Sequence, residues 1–402
     1  MATFSREEYA ARVARARQAM SEKGIDVLVV TDANNLNYLC GYSQVVFYHT
    51  TFLVLALDEE EPIWVGREYT CAPLAKLTTY LDESRIIGFS EDFATHFLRD
   101  GEKQEAHDPM GVLAGLFESK RWANKRIGVE WGGRILTVSQ GDSLRRQLPN
   151  ATFVDATAFI ETLRFIKSDE EIVRLRIAGQ IADLAMAAAM DGIASGLKQC
   201  EVYGRIHEAC LKGTPEFGGE PPEMVGLTSG RYVPTMHGPI FDAPFEKDQL
   251  ANIEICGCRL GYNTTLVRSA VVGKAADDVN RLESAVIEAI DASLDVARAG
   301  ATCADIARAY LGPITAAGFR ARPMIGYSAG LGLIGQGTQD SDAMIALEDD
   351  TRLEENMVFH IVPCFELESV GGWAMFMSET IRITQNGAPE LLCNAPRKLH
   401  RC

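Results

Sequence analysis

The chain lacks the features that mark several classes of protein. Its 402 residues carry 39 Lys and Arg against 55 Asp and Glu, which gives a formal net charge of −16. This shortage of positive charge argues against nucleic acid and anionic membrane surfaces as partners, because both bind positive surfaces. No apolar run reaches the roughly 18 to 20 residues that a membrane-spanning helix needs. The charged N-terminal segment also lacks the apolar centre of a secretory signal, so we expect a cytoplasmic location.

Short metal-binding and phosphate-binding motifs are also missing. The ten cysteines include no C-x-x-C pair. Cys256 and Cys258 stand one residue apart in a predicted strand, but no other soft ligand lies close to them in the sequence. We therefore expect reduced, buried thiols of the kind found in cytosolic proteins. The glycines that follow Gly326 do not form a GxxxxGK loop, so no phosphate-binding loop is predicted.

The pattern of apolar residues divides the chain into two parts. Strands such as IDVLVVT (25–31) alternate with helices in the first part, which indicates an α/β domain. In the second part, Ser168 and Glu171 form a capping box that opens a long helix, and Thr302 is predicted to cap a later one. The order of elements there suggests two similar halves on one curved sheet. We predict a first domain over residues 1–160 and a second over 161–402.

An apolar hairpin is predicted in the middle of the second domain. The segment LANIEICGCRLGYNTTLVRSAVVG (250–273) contains two strand patterns, with Gly261 and Asn263 as the turn residues between them. Glu254 lies inside the first strand. A buried carboxylate is costly unless it is paired or hydrogen-bonded, so we predict that Glu254 has a partner or a function.

Four sequence motifs, taken in their order along the chain, resemble those of a known fold. The hairpin, together with RFIKSDEEIVRLRIAG, NMVFHIVP and MSETIRIT, resembles the pita-bread fold of the methionine aminopeptidase and prolidase superfamily over residues 160–390. The first part has about the length of the N-terminal domain of the creatinase and prolidase branch. The resemblance implies an α/β N-terminal domain followed by an α+β pita-bread domain, in which helices cover a curved antiparallel sheet.

The resemblance also locates the positions of a metal centre. Peptidases of this fold bind two divalent ions through two Asp, one His and two Glu. The residues at those positions here are, in the same order, Glu254, Thr265, Tyr327, Val362 and Glu379. Only two carboxylates remain, and two carboxylates alone make a poor site for a catalytic ion. We therefore expect neither a metal nor another cofactor.

A metal-free branch of the superfamily resembles this chain more closely. His237, within PTMHGPI, matches the catalytic histidine of the creatinase branch. A histidine beside carboxylates can move protons near neutral pH. The resemblance therefore implies catalytic roles for His237, Glu254 and Glu379, with the two glutamates facing each other across one sheet. We expect neither His207 nor His360 to be catalytic.

The substrate and the partner follow from the same resemblance. Four segments are similar to sequences of the ectoine-hydrolase group, namely IEICGC, GLKQCEV, IGYSAGLG and NAPRKL. Enzymes of that group open the ring of a small cyclic amidine. Creatinase-like enzymes are homodimers in which an N-terminal segment, here FYHTT, closes the partner's pocket. The implied substrate-binding residues are Phe47, Tyr48, His49, Arg67, Thr265 and Tyr327.

One segment leaves the substrate open. The loop after Tyr327, GLGLIGQGTQDSD, departs from both ectoine hydrolases and creatinase. A creatinase-like amidinohydrolase, a lyase acting on an osmolyte and a catalytically silent binding homologue are therefore kept as alternatives to a hydrolase of cyclic amidines.

Overall fold

The chain divides into two compact units. The computed structural model describes residues 4–43, 50–90, 108–133, 136–194, 196–333 and 339–402. The units are Met1–Arg164 and Phe165–Cys402. A helix over Phe159–Arg164 spans the boundary that the sequence places at residue 160, and it belongs to the first unit because it packs on helices of that unit.

The first unit is an α/β domain built on a six-stranded sheet. Its elements are α1 (Arg6–Glu22), β1 (Val27–Val30), α2 (Ala33–Cys40), β2 (Phe52–Ala56), β3 (Ile63–Arg67), α3 (Ala72–Thr78), β4 (Ile86–Phe89), α4 (Pro109–Ser119), β5 (Arg126–Val129), α5 (Val138–Gln147), β6 (Thr152–Asp155) and α6 (Phe159–Arg164). The strand order is β4-β3-β2-β1-β5-β6, and β2 runs antiparallel to both of its neighbours. The strands β1 and β2 are buried along their whole length, as in the centre of an α/β sheet.

The described residues of the second unit form two pairs of helices and three sheets. Its elements are α7 (Asp169–Ala194), α8 (Gln199–Lys212), β7 (Val225–Ser229), β8 (Leu250–Arg259), β9 (Tyr262–Val271), α9 (Asp277–Val296), α10 (Cys303–Ala316), β10 (Gly326–Ala329), β11 (Gln339–Ile345), β12 (Val358–Ile361), β13 (Cys364–Leu367), β14 (Gly372–Met375), β15 (Glu379–Arg382), β16 (Glu390–Leu391) and β17 (His400–Arg401). The strand orders are β17-β9-β8-β7, β11-β10-β12-β15-β16 and β13-β14.

Each helix pair covers one of the larger sheets. One apolar core joins α7 and α8 to β7, β8 and β9, and another joins α9 and α10 to β11, β12 and β15. The two sheets meet where the Val267 amide donates to Ser378 Oγ at 2.7 Å and the Ser378 amide donates to the Val267 carbonyl at 3.2 Å. The predicted pair of similar halves is therefore present, and the curved surface is made of two sheets joined side to side.

The predicted helix caps are confirmed. The Ser168 amide donates to the Glu171 carboxylate at 2.8 Å, and the Glu171 amide donates to Ser168 Oγ at 3.4 Å. Thr302 caps α10 with the same reciprocal pattern through Asp305. Such caps depend on residues three positions apart, so they can be read directly from a sequence.

The turn of the hairpin differs from the prediction in one residue. The turn residues are Leu260, with φ +53°, and Gly261, with φ +81°. Asn263 lies in β9 instead, where it is fully buried and its side-chain amide donates to the carbonyls of Gly261 and Gly332. The prediction of Asn263 as a turn former is wrong, because its amide satisfies carbonyl groups of two loops.

Helix α7 lies directly on the hairpin. Within the described residues, it is the one helix whose length and composition would suit a membrane span, and half of that apolar window is buried in the unit, as in a core helix. A Cβ atom at Gly257 of β8 would stand 2.0 Å from the Ala178 carbonyl oxygen and 2.5 Å from the Ala182 nitrogen. Glycine at this position therefore allows the backbones of helix and strand to approach each other.

Replacing Gly257 with alanine should destabilise the second unit. We expect Gly257→Ala to lower the free energy of unfolding by about 3 kcal/mol, because overpacking against backbone atoms cannot be relieved by a rotamer change. Gly204→Ala in α8 is the matched control, since a Cβ there meets nothing within 4 Å. That variant should be neutral or slightly more stable. Urea unfolding of both variants measures the difference, and equal stabilities would contradict this account of the packing.

Candidate active site

A strained turn places His237 against the central hairpin. A 3-10 turn over Gly230–Thr235 leads to Met236, which has φ +57° and ψ −59°. The His237 amide then donates to the Thr235 carbonyl at 2.6 Å, closing a three-residue γ-turn. A positive φ in such a turn is costly for a residue other than glycine and persists only where the surroundings hold it. Met236 is held by packing, with its sulfur 3.6 Å from Cys364 Sγ.

His237 and Glu254 form a hydrogen-bonded pair. Nε2 of His237 lies 3.1 Å from Oε2 of Glu254. The carboxylate side chain is 3% exposed, whereas the imidazole is 58% exposed. The hydrogen bond to Glu254 raises the pKa of His237 above its ordinary value, and partial burial of the ring opposes this increase. The pair therefore presents an accessible imidazole whose orientation is set by a buried carboxylate, as the sequence predicted for Glu254.

Thr265 lies on the same face of the hairpin as Glu254. Cys256 shares this face because it stands two residues along the same strand, and it pairs directly with Thr265 in β9. Thr265 is fully buried, and its hydroxyl is 3.1 Å from the Cys256 thiol. The thiol is thus the hydrogen-bond partner of the predicted substrate contact.

An apolar cluster adjoins the pair. Val267, which is opposite Glu254 in the register, belongs to it. The members of this cluster are Val267, Val362, Met375, Met236, Tyr327 and Cys364. Tyr327 carries the hydroxyl of the cluster, and that oxygen lies 3.0 Å from Nδ1 of His360. The walls beside the pair of His237 and Glu254 are therefore mainly hydrocarbon and sulfur.

Glu379 does not face Glu254, so that prediction is wrong. It lies on β15 in the neighbouring sheet, and its carboxylate accepts from Arg268 Nη2 at 2.8 Å. Arg268 pairs with Ile253 in the register, one residue away from the pair formed by Glu254 and Val267. Because side chains alternate along a strand, Arg268 and its partner Glu379 occupy the opposite face of the hairpin from Glu254.

Arg268 is a residue that the sequence reasoning missed. Its side chain is 2% exposed and that of Glu379 is 1% exposed. The guanidinium also donates to the carbonyls of Val267, Ser378, Ala395 and Pro396 at 2.6 to 2.9 Å. The available signal was a charged residue inside a predicted strand, as it was for Glu254.

The residues present do not fit a pair of divalent ions. Three of the positions that the resemblance assigns to metal ligands hold Thr265, Tyr327 and Val362, and the carboxylate of Glu379 is bound to Arg268. Across the described ranges, no group of three or more His, Cys, Asp or Glu side chains is arranged to hold a metal. At the hairpin, His237 and Glu254 form one hydrogen-bonded pair of potential ligands.

The other predicted substrate-binding residues belong to the first unit. Phe47, Tyr48 and His49 fall outside the described residues. Arg67 is the last residue of β3 in the first unit and is buried. His207 lies on α8, where its ring packs beside Tyr203, so it is not part of the site.

The fold and the site define the class of this protein. An α/β unit precedes a unit with two helix pairs on a curved surface, and a histidine and a carboxylate meet at the central hairpin. Residues 12–166 match the creatinase/prolidase N-terminal domain, and residues 173–385 match metallopeptidase family M24. The chain belongs to the creatinase/prolidase family, M24, with its pita-bread fold.

Its similarity to individual proteins extends over the whole chain. It is 31% identical to the ectoine hydrolase of Halomonas elongata over 98% of both chains. It is 33% identical to an uncharacterized hydrolase/peptidase of Sinorhizobium fredii, also over 98% of both. Among solved structures, a prolidase from Thermococcus sibiricus superimposes with a TM-score of 0.78 at 18% identity, over 98% of this chain and 99% of that one. The chain is therefore a member of a hydrolase family.

Removing the charge of Glu379 should act mainly on stability. We expect Glu379→Gln to lower the free energy of unfolding by about 3 kcal/mol, because it leaves the Arg268 guanidinium buried without its counter-charge. Glu390→Gln, which removes a partly exposed partner of Arg176 and Arg382, should cost under about 1 kcal/mol. Thermal and urea unfolding of both variants provide the comparison. A stable Glu379→Gln protein that has lost its turnover would instead support the predicted catalytic role.

The pair of His237 and Glu254 should be visible in a titration. We expect the pKa of His237 to lie above its ordinary value and to fall in Glu254→Gln, so that less imidazole is protonated at a given pH. The contribution of the pair to stability is then complete below the unfolded-state pKa and is lost as the pH rises through the folded-state pKa. NMR titration of the histidine rings measures these values. His207, whose pKa is lowered by burial, serves as the internal control and should not change.

Proposed function

We propose that this protein is a metal-independent hydrolase of a carbon–nitrogen bond other than a peptide bond, acting on ectoine or a related cyclic amidine. The observation that carries the proposal is the hydrogen bond between His237 and Glu254, in a site whose remaining residues do not fit two divalent ions. The substrate class is supported by the full-length similarity to an ectoine hydrolase.

The arrangement of the pair suits proton transfer to and from water. Neutral His237 takes a proton from water while the water oxygen bonds to the amidine carbon. The resulting imidazolium, stabilised by Glu254, gives this proton to a ring nitrogen as the bond between that nitrogen and the carbon breaks. The hydroxyl of the adduct becomes the amide carbonyl, and its proton ends on the released amine. One water molecule is consumed, and the ring opens to an amide and an ammonium group.

Charge complementarity supports a cationic substrate. Glu254 is the buried carboxylate bonded to His237, and an amidinium offers two N–H groups to a carboxylate in charge-assisted hydrogen bonds. The neighbouring wall of Val267, Val362 and Met375 excludes water, which strengthens such bonds and suits the hydrocarbon part of a small ring. The corrected position of Glu379 leaves this contact to Glu254. A homodimer in which the segment containing Phe47, Tyr48 and His49 closes the partner's pocket stays part of the proposal.

Activity should survive chelation and depend on His237. We expect turnover of ectoine to be unchanged after exhaustive dialysis against a chelator. We expect His237→Ala to lower kcat about 10²- to 10⁴-fold, since it removes the proton carrier. His207→Ala removes a histidine outside the site and should retain activity. The measurement is product formation followed by mass spectrometry.

Each alternative has a distinct outcome in the same experiment. Loss of activity with chelator and recovery with added metal would contradict the proposal of metal independence. An alkene product would favour the lyase, and turnover of an acyclic guanidinium compound alone would favour the amidinohydrolase. Binding of ectoine without any product would favour the silent homologue.

A further inference from the structure

A buried chain of three polar side chains leads to the apolar wall of the site. His360 lies between Tyr327, whose hydroxyl is 3.0 Å from Nδ1, and Ser378, whose hydroxyl is 2.8 Å from Nε2. Both His360 and Ser378 are fully buried. The proposed function uses neither residue, and the sequence assigned no role to His360 beyond its place in a strand.

We call these three hydrogen-bonded side chains, Tyr327, His360 and Ser378, the relay. The direction of its hydrogen bonds is set at Ser378. Its oxygen accepts the Val267 amide at 2.7 Å, a bond that helps to join the two sheets. A serine hydroxyl has one proton to donate, and among the described residues the remaining partner of this oxygen is Nε2 of His360. If Nε2 carried a proton, the buried hydroxyl proton of Ser378 would have no acceptor, which is unfavourable. Ser378 is therefore the donor, and Nε2 is the acceptor.

The protonation of the histidine ring follows. A neutral imidazole that accepts at Nε2 carries its proton at Nδ1. That N–H then donates to the hydroxyl oxygen of Tyr327. Burial, assisted by the nearby Arg268 guanidinium, lowers the pKa of His360 to about 3, so the ring stays neutral. Since the Tyr327 oxygen accepts from His360, its own proton must point to a different acceptor.

Tyr327 stands beside the proton-transfer pair. It belongs to the same apolar cluster as Met236, which immediately precedes His237, and Val267, which is opposite Glu254 in the register. A substrate that offers its cationic group to Glu254 would therefore extend along a wall on which Tyr327 supplies a hydroxyl. An anionic group of that substrate is disfavoured next to Glu254 and favoured next to a hydrogen-bond donor.

We propose that Ser378 and His360 act as positioning residues that hold Tyr327 as a hydrogen-bond donor for the carboxylate of an acidic cyclic amidine. This assignment of substrate contact rests on the proposed function. The relay itself rests on the three side chains alone. The substrate would thus be recognised at both charged ends, with the amidinium at Glu254 and the carboxylate at Tyr327.

The first test measures the relay without using activity. In the protein labelled with ¹⁵N-histidine, the ring nitrogens of His360 are assigned by comparison with His360→Gln. We expect His360 to be the Nδ1–H tautomer and to remain neutral from mildly acidic to mildly basic pH. In Ser378→Ala the Nδ1–H tautomer of His360 should no longer be favoured. Ser293→Ala removes a different buried hydroxyl, which is bonded to a helix carbonyl, and should leave the tautomer unchanged. An Nε2–H tautomer in the unmodified protein would overturn the relay.

The second test measures recognition of the carboxylate. We expect Tyr327→Phe and Ser378→Ala each to raise KM for ectoine about ten- to a hundredfold with kcat largely kept, because a bond to the carboxylate is present in both ground and transition states. The unmodified protein, Tyr327→Phe and Ser378→Ala should all turn over the decarboxylated analogue of ectoine equally well. The double variant should have the same KM as Tyr327→Phe, since both substitutions remove the same contact with the carboxylate. Ser378→Thr, which keeps the hydroxyl, should restore binding.

The outcomes separate the relay from the proposed function. Additive losses, or equal losses on the decarboxylated analogue, would show that Ser378 is only structural and would overturn the proposal for Tyr327. If the unmodified protein turns over neither compound, the proposed function fails and the carboxylate contact fails with it. The tautomer of His360 then decides the relay by itself.

Discussion

The central hairpin of the second unit is buried on both faces, and this constraint determines the partners of its polar residues. Glu254 is bonded to His237 on one face, and Arg268 is bonded to Glu379 on the other. A buried charge without a partner would cost more than most single interactions contribute. The hairpin therefore requires a loop on one side and a strand of the neighbouring sheet on the other, and these contacts hold the two halves of the unit together.

The two faces of the hairpin differ in their exposure to solvent. Arg268 donates to four carbonyls and one carboxylate, and the side chains of both Arg268 and Glu379 are almost fully buried. On the opposite face, the His237 ring remains half exposed and can meet a substrate. The residues at the positions that the resemblance assigns to metal ligands contribute packing, as Val362 does, or hydrogen bonds within the protein, as Tyr327 and Thr265 do. In the proposed mechanism, one protonatable pair moves the proton, and the rest of the wall orients the substrate and excludes water.

The comparisons and the site agree at different levels of detail. Membership of the creatinase/prolidase family follows from matches over most of both units. The structural neighbours include prolidases at about one fifth identity, so they establish the fold and leave the reaction to the residues of the site. Those residues differ from a two-ion peptidase at the positions that matter most for metal binding. This difference, more than the shape of the fold, directs the proposal towards proton-transfer chemistry on a small cationic ring.

The sequence by itself determined the features that depend on local spacing. The capping boxes at Ser168 and Thr302 and the two strands of the hairpin were predictable, because their partners lie within a few residues. It also singled out Glu254 as a buried charge in need of a partner. Only the tertiary structure decided which charges meet. Glu379 pairs with Arg268 because strand register and the alternation of side chains put both on the same face. The two residues are 111 positions apart in the chain, and no local pattern encodes the relative position of such distant strands.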